Sequence, residues 1–268
     1  MTVSNPNPNP TPTAAGPRRA PALRPLAVLT RVETALLLRE PAAVLFTLAL
    51  PLVLLFLNGT RGNDPDPAFS GAGVVDVLMA GYLVYVMATS ALMGLAETLA
   101  GYRDRGILRR MRISPLRPWQ ILGSHALTHL AMSAVGAVVL VTVGRLAFDL
   151  RPPAAWGPTL LALLASAASI ISLGFLLGAL LPTVRTTQAV AAALYFPAIF
   201  VSGALFPREV LPDLARTVGD LIPMTYAVEA IREAWTAGTV AWTSIGILAG
   251  TASVTTAVAL ATFRWEAR

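Results

Sequence analysis

Glu97-Thr-Leu-Ala-Gly-Tyr-Arg-Asp-Arg-Gly-Ile-Leu-Arg-Arg-Met-Arg-Ile-Ser-Pro-Leu-Arg-Pro118 holds six of the chain's twenty basic residues, and long apolar stretches flank it on both sides. A short, strongly cationic segment between two spans is held on the cytoplasmic face of a membrane by the positive-inside rule. Its Leu, Ile and Met interleaved with Arg suit a helix that offers itself to another protein. Outward from this segment the chain reads as six apolar spans, at about 41–58 (with Pro51), 73–96, 119–147, 156–181, 187–206 and 240–262. About 20 apolar residues cross a hydrocarbon core of about 30 Å. Each span should be helical, because a lipid-exposed backbone must satisfy its own hydrogen bonds.

Composition agrees. The 268 residues are 55% hydrophobic and 13% charged, with a mean hydropathy of +0.66. Soluble domains carry about 25% charged residues, twice this value. With the N-terminus inside, fourteen Arg fall on the cytoplasmic side and six outside, so both termini are expected in the cytoplasm. The net charge of +6 is accounted for by loops facing the cytoplasm and anionic lipid, and no nucleic-acid partner is expected. The basic residues are all Arg. A P-loop needs a Lys to reach the nucleotide's phosphates, so any ATP hydrolysis linked to this chain belongs to a different polypeptide. The chain has no Cys, which excludes disulfides and thiolate metal sites. Arg-only, Ala-rich usage points to a GC-rich bacterium and its plasma membrane.

The expected organisation is a disordered Pro/Asn-rich cytoplasmic tail at 1–24, an amphipathic helix at 25–40 and a six-span domain at 41–268. The tail is no signal peptide, because its first apolar run starts too late. In 25–40, Leu26, Leu29, Val32, Leu36 and Leu37 share one face while Arg31, Glu33, Arg39 and Glu40 sit elsewhere, the pattern of a helix lying on the inner leaflet. Pro207 to Gly238 is too polar to cross and too apolar to be a free loop. It reads as two short helices in the outer leaflet, broken near Pro223.

Several side chains are candidates for function. Glu97, Arg103, Asp104, Arg105, Arg109 and Arg110 could make charge-assisted contacts with a partner and pass its motion to the spans. Gly106 would serve as an interruption or close-approach point. Met79, Tyr82 and Met87 in the second span, with Met93, Tyr85 and Thr89 nearby, and Phe196 and Phe200 in the fifth, are bulky, adaptable groups that could line a path for apolar cargo, although each taken alone reads first as ordinary helix packing. His125 and His129 lie four apart on one face, a metal-capable spacing. Without a companion acid they read as a hydrogen-bonded polar end of the third span, and no metal is expected. Asp76 is an intramembrane acid near the outer interface. Gly174 and Gly178 form a Gly-x-x-x-Gly contact in the fourth span. Glu229 and Glu233 read as solvated, with pairing to Arg232 as the other reading. Asn58-Gly59-Thr60 matches a glycosylation sequon by chance.

Two stretches carry a family resemblance. Arg103-Asp-Arg-Gly-Ile-Leu-Arg-Arg-Met-Arg-Ile-Ser-Pro-Leu-Arg-Pro-Trp119 resembles the cytoplasmic loop of type-2 ABC exporter permeases, the membrane subunits of drug, polysaccharide and daunorubicin-resistance exporters. Phe200-Val-Ser-Gly-Ala-Leu-Phe-Pro207, followed by Ile222-Pro-Met-Thr-Tyr-Ala-Val-Glu-Ala-Ile-Arg232, is similar to that family's Ser-Gly-x-x-Phe-Pro and Asn-Pro-Leu-Thr-Tyr patterns. Asp104 stands for the usual Glu, Ile107 for Thr, Met224 for Leu and Ser124 for a frequent Lys. The importer-type Glu-Ala-Ala loop does not follow Glu97.

The resemblance implies a permease, not itself an enzyme, that pairs with a second permease copy and binds two copies of a P-loop ATPase. No cofactor is expected on this chain; ATP and Mg would sit on the partner. Residues 97–118 would be the coupling helix and 25–40 the connecting helix. The implied function is export of a hydrophobic or amphipathic compound, a drug or natural product. The alternatives are export of a lipid-linked or polysaccharide substrate or, in a different class, a channel or intramembrane enzyme built around His125, His129 and Asp76.

Overall fold

The computed structural model describes residues 41–60, 62–106 and 118–262, with helical Ala27, Val28, Thr30, Arg31 and Thr34 ahead of them. The expected tail, most of the helix at 25–40, and Arg109 and Arg110 lie outside the described residues.

Among the described residues the fold is all-helical. Its helices are α1 (Pro41–Gly59), α2 (Val74–Asp104), α3 (Pro118–Ala147), α4 (Trp156–Leu180), α5 (Val184–Val201), α6 (Asp213–Gly219), α7 (Pro223–Thr236) and α8 (Trp242–Thr262). Helices α2, α3, α4, α5 and α8 are long and apolar enough to cross a membrane. The apolar part of α1, Thr47–Gly59, is shorter. Helix α2 is the axis of the bundle. In its most apolar window 78% is buried, against 17–39% for the other four.

Small residues set how closely the neighbours approach this axis. A Cβ on Gly174 of α4 would lie 2.3 Å from the Ala91 carbonyl oxygen, and one on Gly178 would lie 2.9 Å from Leu99 Cβ. The Gly-x-x-x-Gly pair is therefore the seam between α4 and α2. The Ala91 carbonyl belongs to a π-type stretch, Thr89–Leu95, in which the Ala96 N–H bonds back to Ala91. Thr89 Oγ1 donates to the Tyr85 carbonyl at 2.9 Å within the same turn, a local competition that loosens the α pattern.

Two span boundaries differ from the sequence expectation. The second span, expected to end at residue 96, continues to Asp104. Leu99, Ala100 and Gly101 are buried against α4 and α5, and this packing carries the helix past its first charged residues. The fifth span, expected at 187–206, starts at Val184 on a Thr183 cap and ends at Val201. Gly203, with φ of 85°, turns the chain back inward there, a left-handed conformation that suits glycine. Ser202, Ala204 and Leu205 are consequently buried. A Cβ on Gly81 of α2 would lie 2.6 Å from the Ala204 carbonyl oxygen, so the turn seats directly on the axis helix. The Ser-Gly-x-x-Phe-Pro stretch is thus a span terminator.

The expected pair of short helices broken near Pro223 is present as α6 and α7. Pro223 stands at the start of α7, where its missing N–H costs nothing. Thr225 Oγ1 donates to the Gly219 carbonyl at 2.7 Å, and Tyr226 Oη to the Asp220 carbonyl at 2.8 Å. The Ile-Pro-Met-Thr-Tyr stretch ties the end of α6 to the start of α7.

Candidate functional site

The C-terminal end of α2 meets the turn between α4 and α5. Helix α4 stops before Pro182, since a residue preceding proline is pushed out of the helical region; Leu181 is extended. Pro182 also has no N–H to offer the Gly178 carbonyl four residues back. Arg103, whose side chain is buried, supplies the missing donors. Its Nη1 donates to the Leu181 carbonyl at 2.6 Å, and its Nη2 to those of Gly178 at 2.8 Å and Ala179 at 3.2 Å. A cation at the C-terminus of α4 also complements the helix dipole.

The next residue does the converse. Asp104 Oδ2 accepts from the Val184 N–H at 3.1 Å, placing a carboxylate at the N-terminus of α5. One turn deeper, Gln188 Nε2 of α5 donates to Glu97 Oε1 at 2.9 Å. Arg103, Asp104 and Glu97 thereby clasp α2 to both arms of the α4–α5 hairpin. Sequence reading gave all three to a partner; the structure turns the Arg103 guanidinium inward, onto the fold's own backbone. Arg105 caps the helix, its Nη2 lying against Gly101, and Gly106 turns the chain away with φ of 65°.

The five residues expected to line a path are not brought together. Met79, Tyr82 and Met87 are buried in the central core, where Tyr82 Oη accepts from Asn58 Nδ2 at 3.3 Å. Phe196 and Phe200 are exposed on the outer flank of α5, at 53% and 49%. Tyr195, the neighbour of Phe196, faces inward and bonds Thr89 Oγ1 at 2.5 Å.

What the sequence did not disclose is a cleft of about 190 Å³ between α1, the π-type stretch of α2, and α3. It is lined by Leu48, Val86, Met93, Met132 and Val135, with Thr47, Thr89, Ser90, His129 and Glu97 as its polar groups. Ser90 Oγ and His129 Nδ1 are 2.8 Å apart. The His129 ring packs on Gly94, whose Cβ would lie 3.2 Å from His129 Cε1. The His125 ring meets Tyr102 edge-on at 5.1 Å between centroids. The two histidines are thus a polar end of α3 packed on α2. Among the described residues no group of three His, Asp or Glu gathers for a metal.

At the other end of α2, Asp76 is buried and closes the helix start. It accepts from Asn63 Nδ2 at 2.9 Å and from the backbone N–H groups of Gly73 at 3.2 Å and Arg151 at 3.0 Å. Gly73 has no side chain to cap with, so Asn63 Oδ1 takes that place, accepting from the Val75 N–H at 3.0 Å. Asp76 and Ser90 are fourteen residues apart, about 21 Å along the helix, so Asp76 joins no site with His129.

Nearby, a cavity of about 570 Å³ is rimmed by ion pairs. Arg208 binds Glu229, and Asp220 at 2.5 Å. Arg232 binds Glu209 at 2.6 Å, and Glu233 accepts from Thr239 Oγ1 at 2.8 Å. Glu229 therefore pairs with Arg208 rather than with Arg232 or solvent alone. Partial burial raises the Glu209 pKa, but the Arg232 hydrogen bond and charge outweigh it and hold the carboxyl below the ordinary range.

Comparison with known proteins gives this geometry its context. Residues 25–235 match the family model described as ABC-2 type transporter. The chain is 26% identical over 214 residues to the transport permease YvfS of Bacillus subtilis (strain 168), covering 79% of this chain and 85% of that one. It is 30% identical over 197 residues to Nodulation protein J of Sinorhizobium fredii, covering 72% and 74%. YbhR of Escherichia coli (strain K12), whose assigned name is that of a multidrug ABC transporter permease, is 22% identical over 170 residues, covering 62% and 46%. With its apolar helices, its clasped inner end and a match spanning most of its length, this chain belongs to the ABC-2 type transporter family of multi-pass membrane permeases.

Proposed function

We propose that this chain is the membrane-spanning subunit of an ATP-driven exporter, moving a hydrophobic or amphipathic compound out of the cell with a separately encoded ATPase. The observation that carries this reading is the Arg103–Asp104 clasp. It makes α2, α4 and α5 one body at the membrane's inner end, directly before the cationic segment that begins at Arg105. A push on that segment would move three helices together. Family membership supports a partner ATPase in general terms, and the absence of Lys supports placing ATP and its Mg on that partner. Arg105, Arg109 and Arg110 would face the two ATPase copies, and Gly106 would be the pivot. Helix α1 would be the sixth crossing, both termini would lie in the cytoplasm of a bacterial plasma membrane, and two copies would form the working dimer. ATP-driven closure of the ATPase pair would switch the cavity between the copies from inward to outward opening. The multidrug name of YbhR favours a drug-like cargo over a lipid-linked or polysaccharide one.

The test is affinity purification of the native complex beside a variant with Arg105, Arg109 and Arg110 changed to Ala. A stoichiometric P-loop ATPase, lost or uncoupled in the triple variant, is expected. A stable chain purifying without any nucleotide-binding partner would overturn the reading in favour of a channel or an intramembrane enzyme.

A further inference from the structure

The cleft between α1, α2 and α3 carries its one charged side chain, Glu97, at one end and Val86 at the other. Glu97 lies twenty-one residues below Asp76 on α2, about 31 Å along the helix. That distance is close to the thickness of the hydrocarbon core, about 30 Å, so with Asp76 at one interface Glu97 stands at the other. Ser90 is about 10 Å deeper and Val86 about 16 Å deeper. The walls along this ascent are Val86, Met93, Met132 and Val135. Methionines adapt to irregular apolar surfaces.

Among the described residues the one charged group at the mouth is an acid. Two acids are described at this end of the molecule, Glu97 and Asp104, and Asp104 is engaged with the α5 N-terminus. Among the described residues Glu97 is bonded by the neutral amide of Gln188, and no Arg lines the cleft. Arg105 folds back only as far as Gly101, one turn nearer the cytoplasm. A carboxylate partly withdrawn from water gains more from a cation than from an amide. Of the other polar lining groups, Ser90 bonds His129, and Thr89 bonds the Tyr85 carbonyl and the Tyr195 hydroxyl.

We propose that this cleft binds a single-chain lipophilic amine or quaternary ammonium compound from the inner leaflet, its head against Glu97 and its chain rising past Met93 and Met132. The assignment rests on the export reading as the first station of the cargo, and it narrows that cargo to amphipathic cations. The π-type stretch fits this role: it carries Ser90 and Met93 of the cleft wall, and such bulges concentrate at functional sites.

The test measures binding of tritiated decyltrimethylammonium to the full chain, purified with its own ATPase in nanodiscs, with empty discs subtracted. Decyl sulfate serves as the competitor of opposite charge. The variants are Glu97→Gln, which keeps shape and hydrogen bonding, and Met132→Trp, which fills the cleft and leaves the charge. Saturable binding is expected, resistant to decyl sulfate and at least tenfold weaker in each variant. Binding equal in native and variant complexes, or displaced equally by decyl sulfate, overturns the proposal and leaves the cleft as a seat for ordinary lipid. If Glu97→Gln fails to fold, Met132→Trp decides alone. Charge-blind binding in a complex that retains its ATPase removes the cation assignment only. Cation binding by a chain with no ATPase removes the export reading only.

Discussion

Replacing Arg103 with Ala isolates the clasp. The guanidinium donates three hydrogen bonds to carbonyls at the end of α4. Hydrogen bonds to charged groups contribute about 1.5–3 kcal/mol each. A gross loss near 6 kcal/mol is reduced because burying a guanidinium itself costs several kcal/mol, and the truncation recovers that cost. The three carbonyls left behind cost about 1 kcal/mol each, near the low end of the range because the new space admits water. Loss of the cation from the C-terminus of α4 adds about 0.5 kcal/mol. With about 5 kcal/mol of that desolvation recovered, the net destabilisation is about 4.5 kcal/mol, or roughly 9–18 °C at about 2–4 °C per kcal/mol for a chain approaching this size. Arg103→Lys should fall midway, because a single ammonium cannot fork across three carbonyls.

Thermal unfolding in nanodiscs gives the global effect, and amide hydrogen exchange gives its place. Faster exchange is expected at Leu181 and across Thr183–Thr187, with the middle of α8 unchanged. Unchanged melting and unchanged exchange in Arg103→Ala would refute the cap. Full stability with loss of ATPase capture would show instead that the guanidinium works outward, on the partner.

Gly174→Val would drive a side chain into the Ala91 carbonyl, from a Cβ only 2.3 Å away. Overpacking against backbone costs about 1–3 kcal/mol or more, so a lower melting temperature and a reduced yield of folded chain in nanodiscs are expected. Asn63→Ala removes the side chain that caps α2 and should cost about 1–2 kcal/mol, read as a lower melting temperature. Glu209 has its pKa lowered in the folded state, so its pairing with Arg232 stabilises the fold above the ordinary carboxylate pKa of about 4.3 and is lost as pH falls through the lower folded value. Melting curves from neutral pH to about pH 3 should show an acid-side loss that Glu209→Gln lacks. An identical pH profile for the two proteins would contradict the pairing.

The apolar spans were legible because their signal is additive over 20 residues and depends on no neighbour. The motifs around Ser202-Gly203 and Ile222-Pro223-Met224-Thr225-Tyr226 were visible too, but their local roles as span terminator and helix–helix tie were not. The roles of Arg103 and Asp104 were hidden for a different reason. Gly178, the group Arg103 serves, is seventy-five residues away, and its only trace is Pro182, which withholds an N–H from that carbonyl. In sequence a cation next to a cationic loop looks like part of the loop. The scatter of the candidate path residues has a related cause. Choosing Met, Tyr and Phe by softness and size says nothing about facing, and every face of these spans is apolar, so Met79 and Tyr82 fell in the core and Phe196 on the outer flank.

The position of α2 explains why so many of these features fall on one helix. As the axis of the bundle it touches α1, α3, α4, α5 and α7. A displacement at its inner end therefore cannot be absorbed by one loose neighbour. A continuous α-helix in that position would transmit a push as a rigid rod and move its outer end, capped by Asn63 and Asp76, as far as its inner end. The π-type stretch between Thr89 and Leu95 breaks that rigidity beside the cleft and the Gly174 seam. Below it, Arg103 and Asp104 lock α2 to α4 and α5; above it, Gly81 and Asp76 lock α2 to the outer turns. Two anchored ends with one weakened turn between them put the bend where the cleft is. A displacement of the Arg103–Asp104 end of α2 would then reshape the walls around Ser90 and Met93 before it moved the end capped by Asn63 and Asp76.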